Sequence, residues 1–269
     1  MFWKKYVPNR ALRWAVLGTF LVMVLVNGLA NFLPIGGNTT AQVSDAYPNL
    51  FAPMGFTFSL WGVIYTLLGA YALRQLGLFS KKKPITKEVL FDRIAPYVIA
   101  SSVLNTLWIF AWHYRLFALS VLLIIGLLIC LVQIVNRLRT VKLNARDIWL
   151  VRAPFSVYFG WITVATIANI TTWLVSTGWD GWGLRPGVWM VAVLLVGTVI
   201  GVTATARNRD WLYGAVIVWA FAGILAKHLS SGYWNGQYPS VLATLYIVLP
   251  VLIITTLYYA KHAIRQLER

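Results

Sequence analysis

The stretch YFGWITVATIAN, residues 158–169, is apolar enough for a hydrocarbon interior, yet it carries a phenol, an indole and a carboxamide. At 3.6 residues per turn, Trp161, Ala165 and Asn169 fall at i, i+4 and i+8, with Tyr158 one turn before Trp161. A helix over these residues presents one face holding two aromatic rings, a small gap and an amide. The rest of the chain decides what surrounds that face.

The chain has 269 residues, 59% of them hydrophobic and 11% charged, against about a quarter charged in soluble domains. Apolar runs of span length recur along the whole chain, which excludes a globular domain with a single anchor. In hydrocarbon every backbone group needs an internal partner, so the spans are helices or a closed barrel. The runs are long and continuous and do not alternate in short segments, which selects helices. The expected fold is an all-α integral membrane protein with about eight transmembrane helices, near 14–33, 56–73, 95–113, 116–136, 149–175, 187–205, 211–228 and 241–260.

The net charge of +16 would suit nucleic acid if it were clustered on a soluble face. It is not. Threading the spans alternately leaves Arg115, Arg185 and Lys227 on one side and the rest of the 23 Lys and Arg on the other. That asymmetry predicts N- and C-termini in the cytoplasm, with a bacterial plasma membrane as the expected location. The basic loops suit anionic headgroups, so membrane lipids are expected partners and nucleic acid is not. The first run, from Trp14 to Leu33, is too long for a secretory h-region and reads as a retained span. Cys130 is the only cysteine, so no disulfide framework or cysteine metal site is expected. The seven acids, Asp45, Glu88, Asp92, Asp147, Asp180, Asp210 and Glu268, are expected in loops or termini. That leaves no intramembrane carboxylate for a proton relay or sodium site. His113, His228 and His262 fall at span ends and read as interfacial, and Arg152 is placed to snorkel toward the interface. No catalytic constellation is visible.

Of the 14 tryptophans, Trp61, Trp108, Trp112, Trp161 and Trp219 lie inside spans, whereas those near predicted interfaces fit an aromatic belt. The second span opens FAPMGFTFSLWGVIY, residues 51–65, in which Phe58, Trp61 and Tyr65 share a face. The third holds LNTLWIFAW, residues 104–112, where Asn105, Trp108 and Trp112 repeat the spacing. At about 1.5 Å per residue, Trp61 and Trp108 lie roughly 9 Å inside the outward ends of their spans, Asn105 and Ala165 roughly 13 Å, Asn169 roughly 7 Å and Trp161 roughly 20 Å. If spans two, three and five meet, rings and amides line one cavity suited to a flat, largely apolar ligand. The competing reading is packing, in which interhelical Asn and Trp contacts simply hold a bundle together.

These three stretches resemble, in order, the second, third and fifth helices of the tryptophan-rich sensory protein family, TspO/MBR, also called translocator proteins. Trp61 and Tyr65 match its Trp-x-x-x-Tyr element, Asn105 and Trp108 its Asn-x-x-Trp, and Trp161, Ala165 and Asn169 its Trp-x-x-x-Ala-x-x-x-Asn. The resemblance covers about residues 14–175 and implies a five-helix unit that binds porphyrins or sterols, with roles in tetrapyrrole handling, stress sensing or lipid transport. It also implies a pocket covered by the loop after the first helix. Two departures are Met54 in place of the second of two prolines and Val157 in place of a proline before Tyr158.

The expected organisation is therefore a TspO-like five-helix membrane domain over 1–175 and a three-helix extension over 176–269. The expected function is binding or sensing of a hydrophobic planar ligand, tetrapyrrole- or sterol-like, coupled or not to its transport. The alternatives are a secondary transporter or permease component and a structural or assembly subunit. The expected ligand-binding residues are Phe58, Trp61, Tyr65, Asn105, Trp108, Trp161, Ala165 and Asn169, with no catalytic or metal residues. No cofactor is required, a tetrapyrrole being an optional ligand, and a homodimer is a possible assembly.

Overall fold

Asn9 ends an extended segment by accepting from the Leu12 amide, and the chain is then helical over Arg10–Phe32, α1. That cap begins a computed structural model that describes residues 7–33, 35–78 and 85–267. The charge count's Lys4, Lys5, Lys81, Lys82, Lys83 and Arg269, together with Trp3 and Glu268, lie outside the described residues.

Thr39 caps the short α2, Thr40–Asp45, through a reciprocal pairing with Gln42. A 3₁₀ turn over Gly55–Ser59 runs into α3, Leu60–Leu76, which stops where Gly77 takes the left-handed conformation. Then follow α4, Ile85–His113, α5, Phe117–Leu138, and the one-turn α6, Ala145–Asp147. A π turn over Ile148–Arg152 leads into α7, Ala153–Ser176, with Pro154 in its first turn, where no amide donor is needed. The chain ends in α8, Pro186–Asn208, α9, Trp211–Leu229, and α10, Pro239–Leu267. Among the described residues eight helical segments are long and apolar enough to cross a membrane. The protein is an all-helical membrane protein, a TspO-like five-helix bundle with three further helices.

α1 packs on α3 and α4, α4 on α5, α5 on α7, and α7 back on α3. The five close a ring in which α1 lies between α3 and α4. α9 packs on the flank of α7, and α10 joins α8 to α9. α7 is thus covered from both sides, and 78% of its span window is buried, the largest share of any span. Its contact with α9 is close at Gly160. A Cβ there would stand 2.9 Å from the Val216 Cβ and 3.0 Å from the Tyr213 carbonyl oxygen, so a side chain would push the helices apart. Gly197 and Gly201 on α8 likewise admit Phe221 and Ile217 of α9, which makes their shared face a packing face.

With the spans alternating, the basic loops and the outer ends of α1 and α10 share one end of the bundle, here the basic end; the opposite one is the lid end. At the basic end the structure corrects the placement of the acids. α4 begins at Ile85, so Glu88 and Asp92 stand on a helix and not in a loop. Arg13 of α1 pairs with Glu88 and, at 3.3 Å, with Asp92, while its guanidinium donates to the Gln75 carbonyl at 3.2 Å. Those pairs let the helix continue past the apolar run: a charge already matched by a neighbouring helix has no need of a solvated loop. Arg74 donates twice to Asp147 Oδ1, at 3.1 and 2.9 Å, both residues being buried. Such pairs add little net stability, but losing one partner leaves a buried charge, so they specify which helices meet. Arg152 does not extend toward headgroups. It donates to the Asn208 carbonyl at 2.6 Å and lies 3.9 Å from Asp210, tying α7 to the α8–α9 turn. Burial pushes the Asp210 carboxyl above its usual range, against the opposing pull of Arg152 and the Ser156 hydroxyl at 2.5 Å.

At the lid end, residues 35–54 fold over the ring and are bonded to three helices. From α4, Trp112 donates to the Thr40 carbonyl at 3.2 Å, and His113 sits 3.1 Å from both the Thr40 hydroxyl and the Ile35 carbonyl. From α7, Thr172 accepts from the Asn49 amide at 3.2 Å and Thr171 donates to its oxygen at 3.2 Å. From α9, His228 Nε2 donates to the Leu50 carbonyl at 3.0 Å, and the Gly223 carbonyl accepts from the Met54 amide at 3.2 Å. His113 and His228 are therefore buried supports of the lid and not interfacial side chains. Each donates to a carbonyl that only the tertiary fold brings to it.

Candidate functional site

α7 runs from the basic end to the lid end, so its turns meet successive layers of the ring. Phe155 meets Tyr71 edge-on at 4.7 Å. One turn on, Tyr158 meets Trp61 edge-on at 6.0 Å. Trp161 then meets Trp61 at 6.1 Å and Phe58 at 5.7 Å, both edge-on. Trp61 itself stacks on Tyr65 at 5.4 Å with the rings 18° apart. Phe58, Trp61, Tyr65, Tyr158 and Trp161 thus form one aromatic cluster between α3 and α7. Tyr158 and Trp161 are buried, whereas Phe58, Trp61 and Tyr65 keep part of their surface open. Edge-to-face pairs at these separations add about 0.5–1.5 kcal/mol each beyond the area they bury.

One polar atom in this cluster is unmatched. The Trp161 indole N–H is buried and has no hydrogen-bond partner. A buried donor without an acceptor costs about 1–3 kcal/mol, and such an atom in a native site calls for an explanation.

The remaining site residues of the sequence reading form a second group between α4 and α7. The Asn105 amide donates to the Tyr158 hydroxyl at 2.9 Å, and its oxygen accepts from Asn27 of α1 at 2.7 Å. Trp108 donates to Asn169 Oδ1 at 2.8 Å, and the Asn169 amide donates to the Ser120 hydroxyl of α5 at 2.8 Å. Trp108 also stacks on Trp112 at 5.5 Å. Asn105 is fully buried and Asn169 nearly so. Ala165 is half-buried, one turn from Trp161 and one from Asn169, at the join of the two groups.

The eight expected residues are thus all brought to α7, but in two sets with different chemistry. Phe58, Trp61, Tyr65 and Trp161 are aromatic, the first three partly open, and the buried Trp161 carries an unpaired donor. Asn105, Trp108 and Asn169 are buried and tied to four helices by the hydrogen bonds above. Tyr158 belongs to both, its ring in the first and its hydroxyl in the second. Sequence reasoning missed Asn27 and Ser120. Asn27 had a usable signal, an amide within the apolar run VMVLVNGLA. Ser120 had none, because a lone serine at a span's start is ordinary. A groove of about 420 Å³ opens elsewhere, between the start of α5 and the end of α7, and is lined by Arg115, Phe117, Leu119 and Trp173. None of the eight residues lines it. Among the described residues no group of His, Cys, Asp and Glu is placed to hold a metal ion.

A family model described as TSPO-like protein matches residues 13–258, taking in the first five spans and nearly all of the last three. No curated protein and no solved structure matches the chain.

Proposed function

This chain belongs to the TSPO-like protein family, and we propose that it binds a flat, apolar ligand in the aromatic cluster between α3 and α7, entering from the lid end. The observation that carries this reading is the Trp161 indole N–H, a buried donor without an acceptor among rings that are only partly covered. Rings supply contact area and π-faces, and one unmatched donor supplies orientation through an acceptor on the ligand. A tetrapyrrole has both the planar area and the nitrogen or carboxylate acceptors that such a site takes.

The saturated group supports a narrower site than the sequence reading assigned. Asn105, Trp108 and Asn169 have used their polar atoms on one another and on Asn27, Tyr158 and Ser120. Their role in this proposal is to hold α7 in register, so that Trp161 faces Trp61 and Phe58. Orientation with the basic end in the cytoplasm places the lid on the outer side, and sensing or movement of the ligand begins there.

The test is titration of purified protein with a free-base porphyrin, read through the porphyrin's own absorption band. Saturable binding is expected, and Trp61→Leu combined with Trp161→Leu is expected to abolish it. Binding that is undiminished in this double variant removes the site assignment.

A further inference from the structure

We propose that Lys227 is an anion subsite at the mouth of the aromatic cluster, occupied in the closed state by Asp45 of the lid, and that a ligand carboxylate takes Asp45's place. The inference rests on the aromatic cluster being the ligand site, and it adds the ligand's class: a flat apolar body bearing a carboxylate on a short arm.

Lys227 stands on the last turn of α9 with its side chain only 5% exposed. Its ammonium meets Asp45 Oδ1 at 2.8 Å and lies over the Tyr233 ring at 4.9 Å. The Asp45 side chain is 38% exposed, at the end of the short helix α2. The two halves of the pair are therefore unequal. Asp45 can turn into water at small cost, because much of it is hydrated already. Lys227 has little water to turn to, and a buried ammonium without an anion is strongly disfavoured. Opening the lid thus leaves a cation that demands a replacement anion, and a ligand that brings one stabilises the open state by differential binding.

The subsite is within reach of the rings. Gly223, one turn before Lys227, approaches Thr57 so closely that a Cβ would fall 2.0 Å from the threonine methyl. Trp219, a further turn back, donates to the Thr57 carbonyl at 3.3 Å. The next residue, Phe58, packs on Trp161. Four residues of helix rise about 6 Å, so the Lys227 backbone lies about one turn beyond Thr57 toward the lid. Along the α9 axis that offset matches the reach of a carboxylate on a chain of three or so carbons from a ring seated against Phe58.

Pyrenebutyrate and pyrenebutanol share the flat ring system and arm, and differ in charge. Their binding is read by energy transfer from tryptophan to pyrene. The full chain is expected to prefer pyrenebutyrate by about tenfold, the ratio worth one charged contact. Asp45→Asn, which removes the competing carboxylate, is expected to strengthen pyrenebutyrate and leave pyrenebutanol unchanged. Lys227→Gln is expected to erase the preference without weakening pyrenebutanol. Equal affinity for both probes, unaltered by Asp45→Asn, overturns the subsite while the aromatic site stands. Asp45→Asn alters an exposed position and keeps the test usable if Lys227→Gln does not fold. Should neither probe bind, the aromatic reading fails, and amide hydrogen exchange over residues 40–52 then decides the latch. Exchange about tenfold faster in Asp45→Asn supports it, and unchanged exchange overturns it.

Discussion

The side of α7 that meets α4 and the side that meets α3 both bring an indole to the contact, and they differ in how its N–H is answered. Toward α4, the indole of Trp108 and the amides of Asn105 and Asn169 end on partners within 3 Å. Toward α3, the indole of Trp161 ends on nothing, and the rings around it are partly open. Tryptophan and asparagine in a membrane span are thus not a signature of binding in themselves. On the proposed reading, what separates glue from site is whether the polar edges are already spent.

Three substitutions probe that contrast. The largest expected effect is on the saturated side. Asn105→Leu strips an acceptor from Asn27 and a donor from Tyr158, two interhelical bonds at about 0.6–2 kcal/mol each. A loss of about 2 kcal/mol in unfolding free energy is expected in mixed micelles, with porphyrin affinity falling only as far as the fold loosens. A full loss of binding in a protein of unchanged stability would break the contrast, since it would make Asn105 a ligand contact. Next comes Trp161→Phe, which keeps a ring and deletes the unpaired N–H. Porphyrin affinity is expected to fall about tenfold, while thermal stability falls less than in Asn105→Leu, because the lost ring volume is offset by removal of an unmatched donor. A fall in stability without a change in affinity would assign Trp161 to packing. The smallest effect is expected from Ser120→Ala, which removes one acceptor from the Asn169 amide and costs about 1 kcal/mol. A shift in ligand affinity there would show that the two sides are coupled through α7.

The two ends of the bundle differ in a related way. At the basic end, Arg13 and Arg74 are buried and meet carboxylates that are at most 12% exposed, so neither side of these pairs can leave cheaply. At the lid end, Lys227 is buried and Asp45 is not. Parting the Lys227–Asp45 pair would therefore leave one buried charge, that of Lys227, where parting a pair at the basic end would leave two charges with little water.

The spans were legible because hydrocarbon admits so few solutions. Apolar length and the bias of Lys and Arg place eight helices within a few residues of where they run, except at the end of α10, which runs on from 260 to Leu267, and at α4. There the sequence places the start of the span near 95, and the helix begins at Ile85. Composition cannot show that Glu88 and Asp92 are matched by Arg13, 75 and 79 residues away. The same limit explains His113, His228 and Arg152. Each reads as a span-end polar residue, and each is bonded to a carbonyl that folding brings to it.

Helical spacing along Trp61–Tyr65, Asn105–Trp108 and Trp161–Asn169 was enough to find the residues that gather on α7, because side chains three or four apart share a face whatever they meet. It could not sort them. Periodicity states which way a side chain leaves its own helix, whereas hydrogen-bond saturation depends on the atom opposite, and that atom belongs to a segment tens of residues away. Residue order and local chemistry therefore determined the eight helices and their polar-aromatic faces. Only the closing of α1, α3, α4, α5 and α7 into a ring, with α9 laid on its flank, decided that the Trp161 indole faces Trp61 and Phe58 without an acceptor and that Lys227 meets Asp45.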